Sequence, residues 1–299
     1  DALYLITYAD MSAVSDGFWS EWKASLLRDF YERVARYLEG FTRDFAEAGE
    51  LLLRRTFLSP SEKEATKNFL SLMPERYVIS TTPERFSEDY RVYKEVIESG
   101  FGLRVRQEED GTCEICVGAR DRAGIFSRIV GVISSMKMNI YRARAYTAKN
   151  GIIVDKIQVS NWKELAWEGT VQALETRLER AVQASLANDE YEMLIRNIRD
   201  TQGYILPPSE VLGRFEPFIE IDNETSGEFS ILEFFAGDRL GLLYDATSLI
   251  HDRSIDIISA RINTESGLAH DIFYVQKEGS KLQGMDVPVL LAMLWERLK

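Results

Sequence analysis

Asp121-Arg122-Ala123-Gly124-Ile125 and Asp238-Arg239-Leu240-Gly241-Leu242 hold the residues whose types and spacing could do most chemistry in this chain. In each, a carboxylate and a guanidinium precede a glycine, and an apolar helix pattern follows. The glycine permits a tight turn and close backbone approach. The amides around Ile125 and Leu242 are expected to be free N–H groups of a helix start, a setting that favours the carboxylate or carbonyl end of a small ligand. Asp121 and Asp238 could cap the helix or grip an amino group. Asn139-Ile140 and Asp256-Ile257 recur at the same distance beyond each glycine. Together these residues could clamp a zwitterion, with amides on its carboxylate and a side-chain carbonyl or carboxylate on its ammonium. The same residues also fit a capped strand–helix turn without a ligand, and both readings stand at this point.

Other reactive residues are scarce. The chain has two histidines, His251 and His270, and neither has a sequence neighbour that suggests a site. Acid–base, triad and most metal chemistries rely on histidine. Both are expected to be surface or half-buried structural residues. Cys113 and Cys116 form a CxxC, but "GTCEICVGA" alternates like a strand, so the two thiols should face opposite sides. No further cysteine could complete a zinc site, and a reducing, cytoplasmic setting is expected. The net charge of −12, from 36 basic and 48 acidic residues, argues against nucleic-acid binding and leaves protein partners or small polar ligands. No apolar run reaches about 18 residues, so no membrane span is expected. The chain shows no signal peptide and no initiator Met, and it reads as the interior of a larger protein.

The elements that must position these residues follow a repeated grammar. Residues 1–100 read as a helical block. Trp19, Trp22, Leu26, Leu27, Phe30, Val34 and Leu38 recur at spacings of three and four, with Gly40 as a stop. Further helices are expected over 44–55, from Ser59 to Pro74, and from Thr82 as N-cap through Pro83 to Gly100. A strand, an Asp110-Gly111 turn and a second strand then lead into the first junction. Helix, strand, Asn150-Gly151 hairpin, strand and a helix from about Trp162 to Leu186 follow. The second junction carries the same order and ends in a helix over Asp286–Leu298. Each copy is thus β-α-β-β-α. A lone strand at Glu216–Asn223 could close the first unit as βαββαβ, the ferredoxin-like plan, which leaves the second unit without an obvious final strand.

The copies align residue by residue. Positions 121 and 238 lie 117 apart, and this offset carries Tyr141, Ala143 and Ala145 onto Ile258, Ala260 and Ile262. One deletion at the hairpin makes the offset 116, and Asp155, Ile157 and Val159 then land on Asp271, Phe273 and Val275. Chance would not keep both the helix stripe and the strand face, so the architecture is duplicated.

This pattern resembles ACT domains, regulatory modules that bind amino acids at paired units. More specifically, "LITYADMSA", "WSEWKASLLRDFY", "MPERYVISTTPE", "DRAGIFSRIVGVI", "FIEIDNETSGEFSILEF" and "DRLGLLYDATSLI" resemble, in order, the C-terminal half of bacterial bifunctional PII uridylyltransferase/uridylyl-removing enzymes. Ala123 and Leu240 stand where that family usually has proline. The resemblance implies an α+β chain: the C-terminal part of an HD-type helical domain (1–72), a linker with a helix (73–110), and ACT units over 111–223 and 224–299. It implies glutamine sensing in nitrogen control, allosteric coupling to nucleotidyltransferase and hydrolase domains upstream, and the PII signalling protein as a partner. The expected ligand contacts are Asp121, Arg122, Gly124, Ile125, Asn139 and Ile140 in one unit and Asp238, Arg239, Gly241, Leu242, Asp256 and Ile257 in the other. Asp10 would be the distal ligand of a hydrolase metal site whose histidines lie upstream, with divalent Mg or Mn implied for the parent enzyme. The chain is expected to hold no cofactor and no complete catalytic site of its own. The alternative is an amino-acid-binding or dimerising ACT module without a catalytic role.

Overall fold

The computed structural model describes residues 2–13, 31, 45–55, 60–108, 111–160, 170–187, 217–265 and 267–298. The Trp19–Leu38 stripe and the start of the helix expected from Trp162 fall outside these residues. The N-terminal block contains α1 (Ala2–Ala13), α2 (Phe45–Arg55), α3 (Pro60–Leu72), α4 (Glu75–Ser80) and α5 (Pro83–Ser99). The α5 boundaries follow from their local chemistry. Thr82 is extended, Pro83 opens the first turn, and Gly100 sits at φ 88°, where its N–H reaches the Val96 carbonyl. At six residues, α4 is too short to show a periodicity, and the sequence offered no sign of it.

Eight strands then form one antiparallel sheet. The first unit is β1 (Phe101–Gln107), β2 (Cys113–Arg120), α6 (Ile125–Ser135), β3 (Asn139–Arg144), β4 (Ile152–Ser160) and α7 (Val171–Ala187). The second is β5 (Phe218–Asp222), β6 (Ser230–Gly237), α8 (Leu242–Asp252), β7 (Asp256–Glu265), β8 (Leu268–Gln276) and α9 (Asp286–Leu298). The strand order β1-β2-β4-β3-β7-β8-β6-β5 is a palindrome of the two units.

This order corrects the expected βαββαβ plan. Strand β5 pairs with β6, in the register Phe218↔Phe235 to Asp222↔Ile231, and does not close the first unit. Each unit is ββαββα, and its outer edge strand comes from before the unit rather than from after it. The second unit therefore lacks no strand. The 117-residue offset already contained this answer, because it carries Phe101, the first residue of β1, onto Phe218, the first residue of β5.

The sheet faces two cores. One holds Leu103, Ile115, Val117, Ile157 and Val159 with the apolar stripes of α6 and α7, and continues through α8 and α9 into the second unit. The other lies on the opposite face of the first unit, where Cys116, Ile152 and Val154 meet Leu52, Phe69, Tyr77, Phe86, Val92 and Val96 of the helical block. Cys113 belongs to the first core and Cys116 to the second, as expected for i and i+3 on a strand. Neither thiol is in a disulfide, and both are buried.

The second core encloses a buried charge cluster. Lys156 Nζ lies 2.6 Å from Asp89 Oδ2, and the Tyr77 hydroxyl donates to the same oxygen at 2.7 Å. Burial and the neighbouring Asp89 both raise the Tyr77 phenol, which therefore stays a donor.

Candidate functional site

The two junctions fold alike because their glycines adopt the left-handed conformation, at φ 74° for Gly124 and 81° for Gly241. Each junction is anchored to the hairpin glycine of its own unit. The Asp121 N–H donates to the Gly151 carbonyl and the Asp238 N–H to the Gly267 carbonyl, both at 2.8 Å. Neither aspartate caps the helix by a side-chain hydrogen bond. The Ile125 and Leu242 amides are not free either. They donate to the carbonyls of Arg122 and Arg239 at 3.1 and 3.0 Å, which closes the turn. The expectation that these two amides face a ligand is thus corrected.

The motif arginines hold the last helix of their own unit. The Arg122 guanidinium donates to the Leu186 carbonyl near the C-terminus of α7, and that of Arg239 donates to the Arg297 carbonyl in α9 at 3.0 Å. Cations at such carbonyl ends satisfy otherwise orphaned acceptors. Arg239 also pairs with the fully buried Asp245 at 2.7 Å, while the equivalent position in the first unit is Arg128, which reaches the Ser185 carbonyl at 2.9 Å.

All twelve residues expected at a ligand site line one of two cavities, but the grouping differs from the expected one. Asp121, Arg122, Gly124 and Ile125 share a cavity with Asp256 and Ile257 of the other unit. Asp238, Arg239, Gly241 and Leu242 share theirs with Asn139 and Ile140. Strand direction explains the exchange. Strands β6 and β7 are each antiparallel to β8, so they run parallel, and Asp238 at the end of β6 lies a whole strand away from Asp256 at the start of β7. At ~3.3 Å per residue that is roughly 25 Å. Strand β3 runs antiparallel to β7, with Arg142↔Asn263, Ala143↔Ile262 and Arg144↔Arg261, and so brings Asn139 to the Asp238 end. The sites exist only because the two units join edge to edge.

The cavities differ in state. The Asp238 pocket is nearly filled, at about 10 Å³, room for no more than one water. Asn139 Nδ2 donates to Asp238 Oδ2 across it at 3.2 Å. The Asp121 pocket is open, at about 240 Å³, room for a small polar molecule. Here a carboxylate, Asp256, stands where the other pocket has an amide. Partial desolvation raises the Asp121 carboxyl above the usual range, and the negative charge of Asp256 adds to that rise. For Asp238, burial raises the carboxyl while the Asn139 hydrogen bond works against it.

Each unit also holds a second, buried aspartate, and Asp271 lines the Asp238 pocket. Asp155 accepts from the Tyr146 amide at 3.1 Å, and its repeat partner Asp271 accepts from the Asn263 amide at 3.4 Å. Burial pushes Asp155 up to about 8, with a further push from Asp121, and raises Asp271 well above the carboxylate range. In both, burial favours the neutral acid over the carboxylate.

Sequence reasoning missed His251. It lines the Asp121 pocket, and its ring lies 2.8 Å from where a Cβ on Gly124 would sit. Its repeat partner, Ser134, lines the other pocket. His270 pairs with Glu233 and touches neither pocket. Asp10 lies in α1. Among the described residues no three His, Cys, Asp or Glu side chains converge on a metal site. Among the same residues, no helix is long and apolar enough to cross a membrane.

The two units thus form one paired sheet with a cavity at each end of the seam, one open and one nearly filled. Residues 218–298 match the family described as "ACR9-like, ACT-like domain". That range begins at β5, in agreement with the strand's place in the second unit. Nearly the whole chain is similar to curated enzymes named bifunctional uridylyltransferase/uridylyl-removing enzyme. It is 31% identical to the one from Gluconobacter oxydans over 99% of this chain and 31% of the relative. Against that of Zymomonas mobilis it is 32% identical over 91% of the chain and 30% of the relative. Against that of Azospirillum brasilense it is 27% identical over 92% of the chain and 30% of the relative. The chain is homologous to the C-terminal portion of these enzymes and spans about a third of their length.

Proposed function

We propose that this chain is the glutamine-sensing regulatory region of a uridylyltransferase/uridylyl-removing enzyme that acts on the PII signalling protein. The observation that carries the reading is the Asp121 pocket, an open cavity of about 240 Å³ at the seam, lined by two carboxylates, Asp121 and Asp256, that feel each other's charge. An α-ammonium group fits between Asp121 and Asp256, where it would relieve their repulsion. The rest of an amino acid then lies against the Gly124 turn, His251 and Ile257. The Asp238 pocket, shut by Asn139, is the weaker candidate. A site made by both units at once suits regulation, because a ligand there binds only when the seam has one particular geometry.

Calorimetric titration of glutamine into the protein tests this, with glutamate and lysine as comparisons. Saturable heat with glutamine, weakened roughly ten-fold or more by Asp256→Ala, is expected from loss of a charged hydrogen-bond partner. No heat and no thermal shift at millimolar glutamine would refute the reading. The self-association expected of ACT units already has an intramolecular counterpart, since β3 and β7 pair within one chain.

A further inference from the structure

We propose that Arg76 is the positioning residue that couples the Asp121 pocket to the helical block, by holding the backbone bulge that forms one wall of that pocket. The inference rests on reading the pocket as a ligand site. Arg76 lies in α4, within the "MPERYVISTTPE" stretch, to which no role in the pocket has yet been given. Its Nη2 donates to the Ile258 carbonyl at 3.2 Å, a contact that spans 182 residues of sequence. The guanidinium also stacks over the Tyr274 ring on β8, 5.5 Å from the centroid.

Ile258 is a particular choice of partner. It lies at the register shift between Ile257 and Ser259, where β7 bulges away from β8. A bulged residue is left out of the ladder and re-aims its neighbours. The same residue lines the Asp121 pocket beside Asp256 and Ile257. Arg76 therefore grips the outer side of the segment whose inner side would meet the ligand. The first unit has the same bulge, between Ile140 and Arg142, but pins it differently, through the Tyr141 hydroxyl to Thr112 Oγ1 at 2.9 Å.

The other end of the lever is rigid. Next to Arg76, Tyr77 is fully buried and bonded to Asp89 of α5. One turn further on, the Ser80 hydroxyl lies 2.8 Å from the Tyr146 hydroxyl, and the Tyr146 amide is the donor to Asp155. Helix α4 thus touches β7 of the second unit and the segment that follows β3 in the first, and is packed into the core of the helical block. A ligand that shifts Asp256–Ile258 must either move Arg76 or break its bond. Arginine suits the role, since its planar fork can donate to a carbonyl while stacking on a ring.

The test is hydrogen exchange read by mass spectrometry, with glutamine calorimetry, on wild type, Arg76→Met and Arg76→Lys. Without ligand, Arg76→Met should speed exchange about ten-fold over residues 256–260, the weight of one charged hydrogen bond, and leave 139–144 unchanged. With saturating glutamine, wild type should change protection over 75–80. Arg76→Met should still bind glutamine within a few-fold, yet lose that distant change, and Arg76→Lys should restore part of it. If glutamine binds and the change over 75–80 is the same in Arg76→Met, the coupling is wrong while the ligand reading survives. If wild type binds no glutamine, the ligand reading fails on its own. Unchanged ligand-free exchange over 256–260 in Arg76→Met overturns the positioning role whatever the ligand result.

Discussion

The Asn139 side-chain amide donates to Asp238 Oδ2 at 3.2 Å, so a residue of the first unit closes the pocket that the second unit opens with its own junction. At the repeat-related place Asp256 shares a cavity with Asp121, and two ionised carboxylates offer each other no donor.

The two substitutions that exchange these chemistries should have opposite signs. Asn139→Asp removes the donor and sets two carboxylates together, at a cost of roughly 1–2 kcal/mol at neutral pH. That cost should shrink as pH falls, because burial already favours protonation of Asp238. Asp256→Asn supplies a donor to Asp121 and should be neutral to stabilising. Urea denaturation at pH 5 and pH 8 measures both, and equal effects of the two changes would contradict the crossed arrangement.

Gly124 and Gly241 share a left-handed conformation but have different neighbours. Alanine at either site pays for that conformation, about 1 kcal/mol. At Gly124 the new Cβ also meets the His251 ring at 2.8 Å, whereas at Gly241 it meets nothing within 4 Å. Gly124→Ala should therefore be the more damaging change, and adding His251→Ala should return it to the Gly241→Ala level. Thermal midpoints of the four proteins decide the matter.

Asp155 makes stability depend on pH. Its carboxyl sits at about 8 in the fold against an ordinary value of 3.8, so between these the folded chain holds a proton that the unfolded chain has released. Stability from this group is fully present below about pH 4 and is lost as pH rises through 8. Asp155→Asn keeps the acceptor for the Tyr146 amide without the ionisation. The variant should gain on wild type steadily from pH 5 to 8, by several kcal/mol at most. Parallel stability curves for the two proteins over that range would show that Asp155 is not held neutral.

The Asp89–Lys156 pair is buried at the joint between the helical block and the first sheet, with side-chain exposures of 2% and 9%. Asp89→Ala strands the ammonium and should cost ~3–5 kcal/mol. Adding Lys156→Met removes the stranded charge, and the double variant should be more stable than Asp89→Ala alone. A double-mutant cycle on denaturant midpoints gives the coupling directly.

The sequence alone determined the repeat, the element order within it and the residue types at the site. These are local properties. Gly124 and Gly241 announce a left-handed turn, the stripe at Phe126, Ile129, Val130 and Ile133 announces a helix with one buried face, and alternation after Asn139 announces a strand. The tertiary structure decided which residues meet. Whether Phe218–Asp222 closes the first unit or opens the second depends on which strand edge it pairs with, and in the sequence only the 117-residue offset from Phe101 bears on that choice. Whether Asp121 faces Asn139 or Asp256 depends on strand direction across the seam, since the two ends of a strand are roughly 25 Å apart at ~3.3 Å per residue. His251 and Arg76 stayed unread for the same reason. Each acts on a residue more than a hundred positions away, and no spacing in the chain encodes such a contact.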